Sequence, residues 1–256
     1  MAEADPHIAD VHTARRALNG RKAIITGGTT GIGRAVAVLL ASEGATVFTC
    51  GRNEADLAET LEQLNTVGSG HGMTCDLARS GELDRFFAEG TAQLGSYDIA
   101  ILNAAVPAVG LTAMSEQEVR DAIEINFTGY LLGAHKAVRQ MQAAGGDIIF
   151  TGSYATRKLG PSSTVYAGIK AGIHGFAEAL RREVGPQGIK VGLVIPGLTA
   201  SAMTTDSMSD EDQQRRIGED NMLLAEDIAA GVHFMLTQPS RTVVQELILV
   251  PRNNEE

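Results

Sequence analysis

The sequence has only two cysteines, Cys50 and Cys75, in "VFTCGRN" and "MTCDLAR". Both contexts read as strand ends, so a disulfide framework is excluded and two buried thiols in a reducing compartment are expected. No CxxC and no pair of histidines at ligand spacing suggests a metal site. There is no basic run, and the net charge is −10. Nucleic-acid binding needs clustered Lys and Arg to neutralise phosphates, so it is not expected. Long apolar runs are missing as well. The longest, "AVAVLLA" at 35–41, falls far short of the roughly 20 residues that a membrane span requires. The opening "MAEADPHIADVHTARRALNG" has acidic residues and proline but no apolar stretch, unlike a signal peptide. It reads as a flexible arm over 1–20 on a soluble cytoplasmic protein. No Pro- or Ser-rich linker divides 21–256, which predicts one domain.

What is present is an alternating pattern. Apolar residues make up 44% of the 256, enough for a real core. "KAIIT" reads as a strand, and "GIGRAVAVLLASEG" has helical spacing closed by a glycine. "ATVFTC" is the next strand, followed by an amphipathic helix opening at Asn53 and stopping at Gly68. The cycle continues with strands at "HGMTCD", "YDIAILNAA", "GDIIFTGS", "GIKVGLVIPG" and "TVVQELILV". Helices lie between them, including a long one over about 115–144. Strands alternating with helices predict an α/β fold: a doubly wound parallel sheet of Rossmann type in three layers.

"TGGTTGIG" follows the first strand and opens the first helix, the setting in which a glycine-rich loop signals a dinucleotide. Gly27 permits the sharp turn, Gly31 admits a pyrophosphate to the backbone, and Gly33 lets the helix pack closely on the sheet. The free N–H groups at the helix start favour an anion there. An acidic residue about 20 positions on would bind a ribose diol. Here that position holds Gly51, with Arg52 next. A guanidinium beside a neutral residue suits a 2′-phosphate, so NADP is favoured over NAD. Thr29 and Thr30 add hydroxyl donors, and Ile32, Asn53 and Leu77 flank the expected cofactor path. Asp76 is a candidate acceptor for the adenine amino group or, alternatively, a helix N-cap.

In "TVYAGIKAG", Tyr166 and Lys170 stand at i and i+4, on one helix face. A phenol is a poor base at neutral pH, and a cation close by favours the phenolate. The tyrosine is then a candidate to exchange a proton with an alcohol or carbonyl oxygen. Ser153, just past a strand, is a candidate partner for the same oxygen. Asn126 has no propensity reason to sit mid-helix, and a water or backbone partner near Lys170 would supply one.

Together "TGGTTGIG", "CD" at 75–76, "LNAA" at 102–105, Asn126, Ser153, "YAGIK" and "IPG" at 195–197 resemble the short-chain dehydrogenase/reductase family in family order, over about 22–250. The resemblance implies Tyr166 as acid/base and Ser153 as orienter of the substrate oxygen. It implies that Lys170 binds the nicotinamide ribose and lowers the tyrosine pKa, and that Asn126 holds a proton-relay water. Asn103, Ala104 and Ala105 would line the cofactor, and Pro196, Gly197 and Thr199 would meet its nicotinamide end. Three positions depart from the family pattern. Ala105 replaces the usual glycine, Thr30 stands where many NADP-using relatives carry a base, and the tail "ILVPRNNEE" lacks an Asp-Gly-Gly motif. That ending looks more like members acting on small hydroxy acids or hydroxyketones than like 3-oxoacyl thioester reductases.

Gly168, Gly172 and Gly175 each cost roughly 1 kcal/mol in a helix interior, and close approach of another backbone would justify them. The resemblance implies that a second subunit packs there, giving a homo-oligomer, a dimer or tetramer; tight packing within the monomer is the alternative. His174 is assigned to the same surface in a structural role. The segment 198–222, with Met203, Met208 and Met222, is expected to act as a lid over a small-molecule substrate. Arg157 and Lys158 are candidates for a substrate carboxylate. A non-catalytic NADP(H)-binding regulator and a cofactor-dependent dehydratase or epimerase are the competing readings.

Overall fold

The computed structural model describes residues 15–201, 204 and 208–253. Seven strands run parallel in one sheet: β1 (Lys22–Thr26), β2 (Thr46–Gly51), β3 (Ser69–Thr74), β4 (Ile99–Leu102), β5 (Gly146–Thr151), β6 (Ile189–Pro196) and β7 (Glu246–Leu249). Their spatial order is β3-β2-β1-β4-β5-β6-β7. The order reverses between β1 and β4, so the crevice beyond their carboxyl ends is the natural ligand site of such a sheet.

Central strands covered on both faces need continuous apolar runs, and "IAIL" of β4 is buried throughout. One face carries α1 (Gly31–Ser42), α2 (Glu54–Val67) and α8 (Ala225–Thr237), the other α3 (Glu82–Leu94), α5 (Gly129–Met141) and α6 (Thr164–Val184). The doubly wound, three-layer, single-domain Rossmann architecture expected from the sequence is therefore the one observed. Among the described residues no helix is long and apolar enough to cross a membrane.

Local chemistry sets the boundaries. Asn53 caps α2, its Oδ1 accepting from Ala55 N at 2.8 Å, and Gly68 ends that helix. Gly44, at φ +88°, turns the chain after α1. The long helix expected over 115–144 is present with a modification. A capping box at Ser115 and Glu118 starts α4 (Glu116–Ile123), a π-helical turn spans Glu124–Thr128, and α5 continues from Gly129. The π turn inserts one residue into the helical register and contains Asn126. The last strand is shorter than "TVVQELILV" predicts. Thr242 is taken into a turn, its N–H donating to Pro239 O at 2.8 Å, and β7 joins β6 only from Glu246, opposite Leu193.

At the opposite end of the sheet Asp147, on β5, is 1% exposed. It accepts from Arg16 Nη1 at 2.7 Å and Arg21 Nη2 at 2.8 Å, and lies 3.2 Å from Lys190 Nζ. Three cations on one buried carboxylate close the base of the sheet. This corrects part of the arm assignment. Residues 15–20 are tied down by Arg16, whose N–H also donates to Thr237 O at 2.9 Å. Residues 1–14 of the expected arm lie outside the described residues.

Candidate active site

A cleft of about 760 Å³ opens across the carboxyl ends of β1 to β6, within the usual size of small-molecule sites. The glycine loop forms its floor. Gly27 has φ +67°, and a Cβ on it would lie 2.7 Å from Ala104 Cα. Only glycine lets β1 and β4 approach so closely while turning. A Cβ on Gly33 would meet Gly27 O and stand 2.6 Å from Asn103 Nδ2. Gly33 therefore packs α1 on the sheet and does not itself line the cleft. Gly31, Thr29, Thr30 and Ile32 do line it. Thr30 is the N-cap residue of α1 and makes no side-chain cap hydrogen bond, which leaves its hydroxyl uncommitted beside the helix start.

Asn103 ties the floor together. Its Nδ2 donates to Gly27 O at 3.2 Å, its Oδ1 accepts from Thr151 Oγ1 at 3.1 Å, and its N–H donates to Thr26 Oγ1 at 3.0 Å. Ala104 and Ala105 follow it into the cleft wall, so alanine stands where the family's glycine was missed. At the far wall Pro196, Gly197 and Thr199 are all lining residues. Gly197 N donates to Leu249 O at 2.7 Å, and Thr199 Oγ1 donates to Gly197 O at 3.0 Å.

At the end formed by β2 and β3, Gly51, Arg52 and Leu77 line the cleft. Arg52 is exposed and makes no ion pair or hydrogen bond with the described residues. A side chain on Gly51 would strike Thr29, so the threonine and the glycine are matched there. Two of the expected residues are not among those lining this end. Asn53 is spent on capping α2. Asp76 Oδ1 accepts from Ala78 N at 3.2 Å and its Oδ2 pairs with Arg79 at 3.2 Å, a local turn outside the cleft. It is not a helix N-cap either, since Gly81 occupies that position before α3. Cys50 and Cys75 are buried free thiols beside this end.

At the other end the Tyr166–Lys170 pair does converge. Lys170 Nζ stands 5.7 Å from the Tyr166 ring centre and 4.7 Å from that of Tyr130. It donates to Thr151 O at 2.8 Å and to Tyr130 Oη at 3.2 Å. Burial lowers the Lys170 pKa to about 7. Burial raises the Tyr166 pKa, while a hydrogen bond with Ser153 pulls it the other way. Burial and Ser153, not Lys170, set the direction of the Tyr166 shift. Desolvation acts on both members, and it moves the lysine toward its neutral form. Ser153 is where expected, on the turn after β5, its Oγ accepting from Ala155 N at 3.2 Å.

Asn126 is fully buried. Its Oδ1 accepts from Val106 N and its Nδ2 donates to Val106 O, both at 2.8 Å. Both ends of the amide bond the main chain of one residue, Val106, in the loop after β4. Sequence reasoning missed Tyr130, Thr151 and Val106, whose roles come from contacts 19 to 48 positions away in the chain. Thr151, at the end of β5, had the one readable signal, a hydroxyl two residues before Ser153 in an apolar strand. His174 faces inward: its Nε2 lies 3.5 Å from Thr156 Oγ1, and burial lowers its pKa. Arg157 pairs with Glu246 at 2.9 Å, whereas Lys158 lines the cleft. Met222 is buried, and Met203 lies outside the described residues.

The fold, the glycine loop and this wall of side chains define a dinucleotide-binding oxidoreductase class. The sequence profile of the short chain dehydrogenase family matches residues 21–212, and the chain belongs to the short-chain dehydrogenase/reductase family. It is 31% identical over 221 residues to carbonyl reductase family member 4 of Danio rerio, covering 86% of this chain and 92% of the relative. It is 31% identical to the glycine betaine reductase ATRR of Emericella nidulans over 92% of this chain, but spans only 19% of that protein's length. A short chain dehydrogenase from Burkholderia cenocepacia, solved in complex with NADP, superposes with a TM-score of 0.82 at 26% identity, covering 92% of this chain and 98% of that one.

Proposed function

We propose that this chain transfers hydride between NADP(H) and a secondary alcohol or ketone. The observation that carries the reading is the convergence of Ser153, Tyr166 and Lys170 on one wall of the cleft whose opposite end holds the uncommitted Arg52. The residues fit a dinucleotide on this structure's own terms. Gly27, Gly31 and the start of α1 present backbone N–H groups to a pyrophosphate, Arg52 and Thr30 take a 2′-phosphate, and Leu77 covers the adenine. Asn103, Ala104, Ala105, Pro196, Gly197 and Thr199 enclose the nicotinamide half. When bound, the nicotinamide supplies or accepts the hydride. The NADP-bound Burkholderia relative and the name of the carbonyl reductase relative point the same way.

The protein's own part is proton handling and orientation. Ser153 and the Tyr166 hydroxyl hold the substrate oxygen together. In the reducing direction Tyr166 gives that oxygen its proton, and its raised pKa keeps the phenol protonated and ready to donate near neutrality. Lys170 reaches the ribose hydroxyls, and its pKa of about 7 lets it exchange a proton at working pH. Asn126 positions the cleft wall through Val106. The segment 198–222 is assigned the role of substrate lid, with 202, 203 and 205–207 lying outside the described residues. The chain acts as a homo-oligomer through the outer face of α6. There Gly168, Ala171, Gly175 and Ala179 are exposed, and added methyl groups on Gly168 and Gly175 would meet nothing within 4 Å.

The test is NADPH oxidation by the purified chain against ketones, 2- and 3-oxo acids and 3-oxo thioesters, with Tyr166→Phe alongside. Removing the phenol hydroxyl is expected to cost on the order of 10²–10⁴ in kcat with cofactor affinity retained. Equal turnover by both proteins would overturn the reading.

A further inference from the structure

The chain carries 31 acidic and 21 basic residues, so a surface chosen at random is acidic. The cleft is not. Among the described residues lining it there are three cations, Arg52, Lys158 and Lys170, and not one aspartate or glutamate. Two of the three are accounted for: Arg52 stands at the adenosine end, and Lys170 is buried against Thr151 and Tyr130. Lys158 has no assigned partner. It makes no ion pair or hydrogen bond with the described residues, although its neighbour Arg157 is held by Glu246 at 2.9 Å.

The chain places Lys158 at the substrate end. It follows the short helical turn Tyr154–Thr156, which Ser153 opens. The facing wall is the loop after β4, where Val106, Pro107 and Ala108 are lining residues. The loop after β4 is fixed to the segment that follows Lys158: Leu111 N donates to Thr164 Oγ1 at 2.9 Å, and a Cβ on Gly110 would lie 2.8 Å from Pro161 O. An apolar wall, a proton-donating pair and one uncommitted ammonium at the mouth define a complement. It is a small apolar body with a reducible carbonyl at one end and an anionic group at the other.

We infer that Lys158 is a substrate-recognition residue that selects carbonyl compounds bearing a carboxylate, short oxo acids or the corresponding hydroxy acids. This rests on the reductase reading above and names its substrate class. With no acidic side chain among the described lining residues, none of them competes as a counter-ion when the ammonium attracts the carboxylate. A charge-assisted hydrogen bond then holds it. Because Lys158 is exposed, the preference is salt-sensitive.

The experiment uses the full chain, its Lys158→Gln and Lys158→Arg variants, NADPH, and matched pairs of short 2- and 3-oxo acids with their methyl esters. The readout is the acid-to-ester ratio of kcat/KM within each protein. Wild type is expected to prefer the acid. Lys158→Gln lowers that ratio about tenfold or more through KM, Lys158→Arg restores most of it, and added salt narrows it in wild type and Lys158→Arg but not in Lys158→Gln. A ratio that is the same in all three proteins, or a wild type that prefers the ester, overturns the inference. If none of the ketones is consumed, the reductase reading fails on its own account. Lys158 is then judged by calorimetric binding of butanoate against butanamide to the protein saturated with NADP. Loss of carboxylate preference in Lys158→Gln supports the assignment, and an unchanged preference rejects it.

Discussion

Lys170 Nζ donates to the carbonyl oxygen of Thr151 across 2.8 Å, joining the middle of α6 to the end of β5 in a place closed to water. The ammonium is desolvated there, and its pKa falls from 10.5 to about 7. A base whose folded pKa lies below its unfolded value binds fewer protons in the folded state between those two values. Stability therefore rises with pH across that window and carries a penalty below it. Lys170→Met lacks the titration. The stability of wild type relative to Lys170→Met is expected to climb by about 1.4 kcal/mol per pH unit at most between pH 7 and 10. Urea unfolding at several pH values measures it, and a flat difference would show that the lysine keeps its ordinary pKa.

Arg52 sits on the rim after β2 with no protein partner among the described residues. Arg52→Ala is expected to weaken NADPH binding by roughly 10- to 100-fold, the worth of charge-assisted hydrogen bonds to a phosphate. NADH binding should change by no more than about twofold, because it has no 2′-phosphate to lose. Fluorescence titration of both nucleotides checks this. Affinities that fail to converge would remove the 2′-phosphate assignment.

Gly168 leaves open space on the outer face of α6. If a second copy packs there, Gly168→Arg puts a long charged side chain between two close helices. The variant should elute as a smaller species than wild type in size-exclusion chromatography with light scattering. A wild type that is already monomeric at micromolar concentration would end the oligomer proposal.

Asp147→Ala leaves Arg21 and Lys190 buried without their shared anion. Breaking such a cluster by removing one member costs about 3–5 kcal/mol. For a chain of this size that lowers the melting temperature by roughly 10 °C. Differential scanning calorimetry measures the loss. A shift of a degree or two would mean that the cations relax into water.

Much of the fold was legible because each signal was local. Asn53 and Gly68 bracket α2 as capping chemistry requires, and the apolar runs of β4, β5 and β6 mark strands buried on both sides. The positions of Ser153, Tyr166 and Lys170 were legible for the same reason, lying within 18 residues on consecutive elements. Their energetics were not. The i,i+4 spacing says that an ammonium stands near a phenol. It says nothing of the burial that drives the lysine toward neutrality. The turn at Asp76 and the cap at Asn53 were not separable in the sequence from a ligand role, because a short polar side chain after a strand serves either. The Asp147 cluster joins Arg16 and Asp147 across 131 positions, a distance at which no periodicity carries information.

The cleft draws its lining from the tips of β1, β2, β3, β4, β5 and β6. A molecule bound there is recognised only when those six tips stand together, which an unfolded chain never achieves. Its binding free energy is then added whole to the resistance of the sheet to melting, about 2.7 kcal/mol at a hundredfold excess over Kd. Thermal denaturation in the presence of candidate compounds therefore ranks ligands for this protein before any turnover assay exists.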